Sequence, residues 1–135
     1  MPTTILETSA PVEPQKISAP ALRTFFHIAE AWSLGNKEQM TVLGSPARST
    51  FYRWKHGENV VLSKDALERI SYVFGIYSAL QVLLPKPEAA DAWIKKPNTA
   101  PIFGGRSALE RMLSGNVADL YLVRQYLDAQ RGGWA

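Results

Sequence analysis

The sequence predicts an all-α fold in which two small helical lobes are joined by one long helix. Apolar residues recur three and four positions apart through most of the chain, whereas alternating strand patterns extend over only a few residues. Helix start signals (Ser, Asn or Pro) and stop signals (Gly) follow one another at short intervals. The chain has 135 residues, of which 46% are apolar and 20% charged. That composition suits a small globular domain, and the length excludes a large two-domain enzyme.

Each element of the N-terminal half has its own signals. The first 19 residues contain several Pro and no sustained apolar period, which is typical of a flexible tail. Three helices follow, each beginning at a Pro or a capping polar residue and ending at a Gly. They are predicted from Pro20 to Gly35, from Asn36 to Gly44, and from Ser45 to Gly57.

The C-terminal half predicts four more helices. The longest runs from about Lys64 to Leu84, and three shorter ones begin near Pro87, after Ser107 and after Asn116. The resulting units are a flexible tail (1–19), an N-terminal lobe (20–62), a long linking helix (63–86) and a C-terminal lobe (87–135).

The long helix carries a second apolar stripe in addition to the one that faces a core. An amphipathic surface helix needs only one such stripe, so this helix is expected to be covered on all sides. The cover could come from the other lobe or from a second copy of the chain. We predict a homodimer, with contacts through Tyr72, Ile76, Ala79 and Leu83.

Composition argues against several classes of function. The chain has no Cys, which excludes disulfides and thiolate metal sites. Only two His are present, and neither a carboxylate pair nor a Ser-His-acid set has a compelling spacing, so we expect no enzyme, cofactor or metal site. The most apolar stretch, residues 70–84, is shorter than the roughly 20 residues that span a bilayer. The start of the chain lacks a secretion signal, so a cytoplasmic location without membrane contact is expected.

The positive charge is concentrated where a DNA-binding motif is predicted. Residues 36–64 hold five basic and two acidic residues, a net +3 that equals the net charge of the whole chain. A short helix, a Gly-containing turn and a basic second helix are the parts of a helix-turn-helix. On the second helix Ala47, Phe51 and Trp54 are expected to face inward. The predicted contacts to double-stranded DNA are Lys37, Ser45, Arg48, Ser49, Tyr52, Arg53 and Lys55.

The segment Leu43–Gly57 resembles an Xre-type helix-turn-helix. Further on, Trp93-Ile-Lys-Lys-Pro-Asn98, followed by Gly104-Gly-Arg-Ser107, is similar to the Xre/MbcA/ParS family of type II antitoxins. The resemblance covers about residues 20–133. Two features depart from the family pattern: one additional residue between Gly44 and Thr50, and Ala108 where the family usually has Pro.

The resemblance implies an antitoxin that is not itself an enzyme. Its C-terminal lobe is expected to bind a RES-domain toxin, an NAD-consuming enzyme, and to cover the toxin's active site. The complex is expected to bind its own operator DNA and repress transcription. The predicted toxin-binding residues are Asn98, Phe103, Arg106, Arg131 and Trp134.

Some of these residues have equally simple structural interpretations. Asn98 follows a Pro at the end of a helix, where it can act as a stop and cap. Ser107 is better explained as a helix cap than as a contact. Trp134 would expose a large ring unless it docks, either on a partner or back on its own lobe.

Two other functions are compatible with the sequence. One is a stand-alone Xre-type transcriptional regulator whose C-terminal lobe dimerises or senses a ligand. The other is a structural adaptor with no role in nucleic-acid binding. An adjacent reading frame for a RES toxin would favour the antitoxin over the regulator, and loss of DNA binding on substituting Arg48 or Arg53 would exclude the adaptor.

Overall fold

The computed structural model describes residues 14–57 and 59–132, and this part of the chain contains helices but no strand. One isolated bridge pairs Pro97 with Ser107. The predicted all-α class is therefore confirmed. The helices are α1 (Pro14–Ala31), α2 (Asn36–Val42), α3 (Arg48–Lys55), α4 (Lys64–Leu83), α5 (Pro87–Ala92), a 3₁₀ turn (Trp93–Lys95), α6 (Ala108–Met112) and α7 (Val117–Gly132).

Helix α1 begins earlier than its sequence signals predict. It opens at Pro14, and Pro20, expected at the start, lies inside the helix. A distant contact supports these first turns, because the buried Ser18 hydroxyl accepts a hydrogen bond from the Leu62 N–H at 2.9 Å. The predicted flexible tail is therefore wrong for residues 14–19, while residues 1–13 lie outside the described part of the chain.

The turn between α2 and α3 also differs in detail. Gly44 and Ser45 both have positive φ, 97° and 57°, and the Ser45 N–H donates to the Met40 carbonyl at 2.8 Å. The chain is therefore still turning at Ser45, and α3 begins three residues later with Ala47 as its N-cap. The predicted capping role of Ser45 is wrong. Ala47 is exposed rather than facing inward, because it precedes the first helical turn.

Helix α4 joins the two lobes through one continuous core. It contacts α1 on one side and α5 and α7 on the other. Phe25, Trp32 and Phe51 fill the N-terminal part of this core, and Ile94 and Leu120 fill the C-terminal part. The predicted arrangement of two lobes packed through a long helix is confirmed.

Helix α7 covers the second apolar stripe of α4. The two helices run in the same direction: the ring of Tyr121 lies 5.6 Å from that of Tyr72, and Arg124 crosses α4 at Gly75. Ile76 and Ala79 are completely buried within the chain. The prediction that these two residues form a dimer contact is therefore wrong.

The other two residues of the stripe also pack on their own C-terminal lobe. Tyr72 contacts Tyr121, and the half-buried Leu83 lines a small cavity with Trp93 and Tyr126. All four residues of the stripe thus pack against other parts of the same chain.

Candidate functional surfaces

Helix α3 has a buried side and a cationic side. The ring of Phe51 is completely buried and lies 6.0 Å from that of Phe26 on α1, which holds α3 on the core. Trp54 is half-buried beside it. Ser49 and Arg53 lie one turn apart on the opposite side, and Arg48 lies in the first turn with Cζ 5.7 Å from the centre of the Tyr52 ring; all three are exposed. The structure therefore leaves these three residues accessible on α3.

Two further candidate residues connect α3 to α2. The Nζ of Lys55 donates to Oδ1 of Asn36 at 2.8 Å, and Nδ2 of Asn36 donates to the Tyr52 hydroxyl at 3.1 Å. Lys55 also lies 5.4 Å from the centre of the Phe51 ring. These contacts hold the start of α2 against α3, so Tyr52 and Lys55 have an architectural role in addition to any contact with DNA.

Asn36 is a residue that sequence reasoning missed in this role. It was expected only to cap α2, a position that Gly35 occupies instead. No local pattern relates residue 36 to residues 52 and 55, because their proximity arises from the angle between the two helices. Lys37 and Ser45, two other predicted DNA contacts, are exposed near the ends of α2.

An ion pair on α4 supports the turn of the helix-turn-helix. Nε of Arg69 lies 2.9 Å from Oδ2 of Asp65, and the Arg69 side chain is only 10% exposed. A Cβ on Gly44 would lie 3.1 Å from each of these two atoms. Gly44 thus allows both the positive φ and the close approach of the ion pair. The sequence carries no local signal for this role of Arg69, because Gly44 and Arg69 are 25 positions apart.

Residues 98–106 of the C-terminal lobe form a loop, named here the closed loop, whose ends are joined by backbone hydrogen bonds. The Asn98 N–H donates to the Arg106 carbonyl at 3.0 Å, and the Gly105 N–H donates to the Asn98 carbonyl at 2.9 Å. The Asn98 side chain turns inward, with Oδ1 accepting from the Ala100 N–H at 2.9 Å. At the exposed end of the loop Gly104 and Gly105 have φ of 59° and 88°. Asn98 therefore shapes the loop through its hydrogen bonds.

Phe103 anchors this loop to the core of the C-terminal lobe. Its ring is 5% exposed and lies 5.8 Å from the ring of Trp93 and 5.2 Å from that of Tyr126. Such a buried ring has little surface left for a partner, so the predicted direct contact of Phe103 with a toxin is corrected to a packing role.

A partly buried ion pair ties the loop to α7. Nε of Arg111 lies 3.0 Å from Oδ1 of Asp119, and Nη1 of Arg111 donates to the Ile102 carbonyl. Ser107 caps α6 by accepting from the Glu110 N–H at 3.1 Å. The sequence predicted this cap, but it carried no signal for the Arg111 contacts.

The remaining predicted toxin-binding residues are Arg106, Arg131 and Trp134, which lie at different places in the chain. The Arg106 side chain is 79% exposed, with Nη1 4.0 Å from Glu110, a contact too exposed to hold it firmly. Arg131 is exposed in the last turn of α7. Trp134 lies outside the described residues. Arg106 and the two loop glycines thus form the accessible end of the lobe.

Neither a metal-binding cluster nor a membrane-spanning segment occurs in residues 14–57 and 59–132. No three His, Asp or Glu side chains there are grouped closely enough to hold an ion. None of the helices combines the length and apolar character needed to cross a bilayer.

Comparison with known proteins divides the chain into two matched regions. Residues 14–75 match the model of the antitoxin Xre-like helix-turn-helix domain. Residues 79–133 match the model of the antitoxin Xre/MbcA/ParS C-terminal toxin-binding domain. The uncharacterised protein y4oB of Sinorhizobium fredii (strain NBRC 101917 / NGR234) is 50% identical over 112 residues, covering 83% of this chain and 84% of that protein. The boundary between the matched regions lies within α4.

Proposed function

Because the chain belongs to the Xre/MbcA/ParS antitoxins, with an Xre-like helix-turn-helix and a toxin-binding domain, we propose that it neutralises a RES-type toxin and represses its own operator. The toxin is an NAD-consuming enzyme whose active site the C-terminal lobe covers. The antitoxin contributes no catalytic group of its own. The observation that carries this proposal is the presence of both matched domains on one continuous core.

The DNA-binding half of the proposal is supported by the surface of α3. Arg48 and Arg53 are exposed and can bond a guanine edge or a phosphate, and the Ser49 hydroxyl can bond a phosphate. The buried Phe51 and the contacts of Asn36 with Tyr52 and Lys55 hold the helix in place. A single short helix buries little surface, so operator binding is assigned to a homodimer that reads two half-sites.

The toxin-binding half is supported by the closed loop. Its ends are joined by backbone hydrogen bonds, its interior is filled by Phe103, and its exposed glycines leave the backbone open to close approach. A loop already held in one conformation loses little entropy on binding. Arg106 provides an accessible cation beside it. Such a surface can fill a cleft sterically.

The decisive experiment asks whether the protein encoded next to this chain turns over NAD and whether this chain inhibits it. The two proteins are co-expressed, rescue of growth and co-purification are scored, and the purified toxin is titrated with the antitoxin. Deletion of residues 132–135 should impair inhibition while leaving the helical content and operator affinity unchanged. Trp134→Ala should weaken inhibition by about 2 kcal/mol or more if its ring is a hot spot.

Two results would redirect the proposal. Equal inhibition by the full and shortened chains would show that the last four residues are dispensable and would leave neutralisation to Arg106 and the closed loop alone. Operator binding without any effect on the neighbouring enzyme would support the stand-alone regulator instead.

A further inference from the structure

The turn between α1 and α2 is contacted by lysines from both lobes. From the C-terminal lobe, Nζ of Lys95 donates a hydrogen bond to the Ser33 carbonyl at 3.3 Å. From the N-terminal lobe, Nζ of Lys55 donates to Oδ1 of Asn36 at 2.8 Å. Ser33, Asn36 and Lys55 line one recess with a volume of about 640 Å³. The two lysines therefore flank the same short segment of chain, which leads into α2.

The fold holds Lys95 in place from its own side. Lys95 is the last residue of the 3₁₀ turn, and the residue before it, Ile94, is completely buried in the core. Lys95 itself is exposed. An ammonium group has three N–H donors, and the Ser33 carbonyl takes one of them. Lys95 thus presents a positioned cation that can still donate to a partner.

Three lysines form a surface around the start of α2, named here the α2 lysine surface: Lys37, Lys55 and Lys95, all exposed. In the part of the chain that the structure describes, none of them forms an ion pair. Two carboxylates lie nearby: Glu30 lines the recess, and Glu38 on α2 accepts a backbone N–H of the preceding turn at 2.9 Å. Three ammonium groups outnumber these two carboxylates, so the surface favours an anionic partner.

We propose that the α2 lysine surface binds the phosphate backbone of DNA, so that the C-terminal lobe contributes Lys95 to operator binding. In a helix-turn-helix the first helix crosses the sugar-phosphate backbone while the second lies in the major groove. Helix α2 is the first helix here, and Nδ2 of Asn36 joins it to α3 by donating to the Tyr52 hydroxyl at 3.1 Å. With α3 in the groove, Lys95 lies beside the helix that crosses the phosphates. This inference rests on the proposed function, in which α3 binds operator DNA.

The chemistry of lysine predicts what this contact contributes. A lysine neutralises a phosphate as a point charge, and a phosphate contact carries no direct sequence information. Lys95 should therefore strengthen binding to every duplex to the same extent, whereas Arg48 and Arg53 on α3 can discriminate between bases. Each phosphate contact also releases a counterion, so the loss of Lys95 should be visible in the salt dependence of binding.

The test compares Lys95→Gln with Lys96→Gln in the full chain. Both residues are exposed and both substitutions remove one positive charge, but the hydrogen bond to Ser33 belongs to Lys95. Binding is measured by fluorescence anisotropy with a duplex from the promoter region upstream of this chain and with an unrelated duplex. The slope of log binding constant against log salt concentration is then determined for each variant.

Lys95→Gln should reduce the magnitude of that slope by about 0.9 on both duplexes. Between about 50 and 200 mM salt, the wild type should therefore lose about three- to fourfold more affinity than Lys95→Gln. Lys96→Gln should keep the wild-type slope, and Lys95→Arg, which retains the charge, should keep it too. Circular dichroism and thermal unfolding should be unchanged in all three variants, because the substituted side chains are exposed.

Three results would overturn the proposal. One is a Lys95→Gln variant with the wild-type slope. Another is an equal decrease in Lys95→Gln and Lys96→Gln, because the net charge of the chain would then account for it. The third is weaker inhibition of the toxin by Lys95→Gln with unchanged DNA binding, which would assign Lys95 to the toxin-binding surface.

Arg53→Ala separates this proposal from the proposed function. If Arg53→Ala weakens operator binding and Lys95→Gln has no effect, operator binding by α3 is supported and the contribution of Lys95 is contradicted. If Lys95→Gln lowers the slope while Arg53→Ala has no effect, the α2 lysine surface is supported and the role of Arg53 is contradicted. A wild type that binds neither duplex contradicts both proposals.

Discussion

The two lobes present different kinds of surface. On α3 the guanidinium groups of Arg48 and Arg53 project from a short helix whose other side is anchored in the core. In the described residues, by contrast, every ion pair lies on α4 or in the C-terminal lobe, including those of Arg111 with Asp119 and Arg124 with Asp128. Accessible cations on a helix suit a partner with regularly repeated negative charges, such as the phosphate backbone of DNA. A closed loop with paired charges suits recognition of a protein by shape.

The largest effect is expected from the ring under the closed loop. Phe103→Ala should lower the free energy of unfolding by about 3–5 kcal/mol, because it removes a buried aromatic ring from between Trp93 and Tyr126. Urea unfolding followed by circular dichroism measures this. Phe103→Leu is the control and should cost about 1.5 kcal/mol or less. Unchanged stability of Phe103→Ala with weaker toxin binding would restore Phe103 as a contact residue.

The contact between α4 and α7 can be tested at Gly75. A Cβ there would lie 2.4 Å from Nε of Arg124, so Gly75→Ala should lower the free energy of unfolding by about 1–3 kcal/mol. The effect stays below that of Phe103→Ala because the Arg124 side chain can move aside. In an Arg124→Ala background the same change should cost almost nothing, which a double-mutant cycle of unfolding measurements would detect. Equal costs in the two backgrounds would contradict the predicted clash.

The difference between the surfaces of the two lobes can be tested with matched Arg substitutions. Arg53→Ala should weaken operator binding by about 1–3 kcal/mol, and the salt dependence should fall by about one unit of slope if it contacts a phosphate. Arg106→Ala should leave operator affinity unchanged while weakening toxin binding. Fluorescence anisotropy with labelled operator at several salt concentrations measures the first effect. Equal operator affinities of the wild type and Arg53→Ala would remove Arg53 from the DNA surface.

The smallest effect concerns the place where the two lobes meet. The carboxylate of Glu68 accepts a hydrogen bond from the Tyr72 hydroxyl at 2.7 Å, and this bond raises the pKa of Tyr72 above its ordinary value of 10.0. The contribution of this hydrogen bond to the stability of the folded state is therefore complete below pH 10. It is lost as the pH rises through the higher pKa of Tyr72 in the folded state. Glu68→Gln should lower that pKa, which a phenolate absorbance titration can follow. Tyr72→Phe should remove the step due to Tyr72 from the absorbance titration. A titration curve that this substitution leaves unchanged would contradict the assignment of that step to Tyr72.

Local signals predicted the helices, and contacts distant in sequence decided where several of them begin. The long helix was expected from about Lys64 to Leu84 and is observed over Lys64–Leu83, because Ser63 supplies a cap that depends only on neighbouring residues. Pro20 predicted too late a start for α1. The helix begins six residues earlier because its first turns are supported by the hydrogen bond between Ser18 and Leu62, two residues 44 positions apart.

For the candidate surfaces, residue type predicted which side chains could bind but not which remain accessible. The sequence by itself determined the basic, exposed face of α3, because a helix with one apolar side places its cations on the other. Only the tertiary structure decided that Phe103 is buried, that Asn98 turns into its loop, and that α7 covers Ile76 and Ala79. Periodicity identifies an apolar stripe without naming what packs on it, because that choice depends on how distant helices cross.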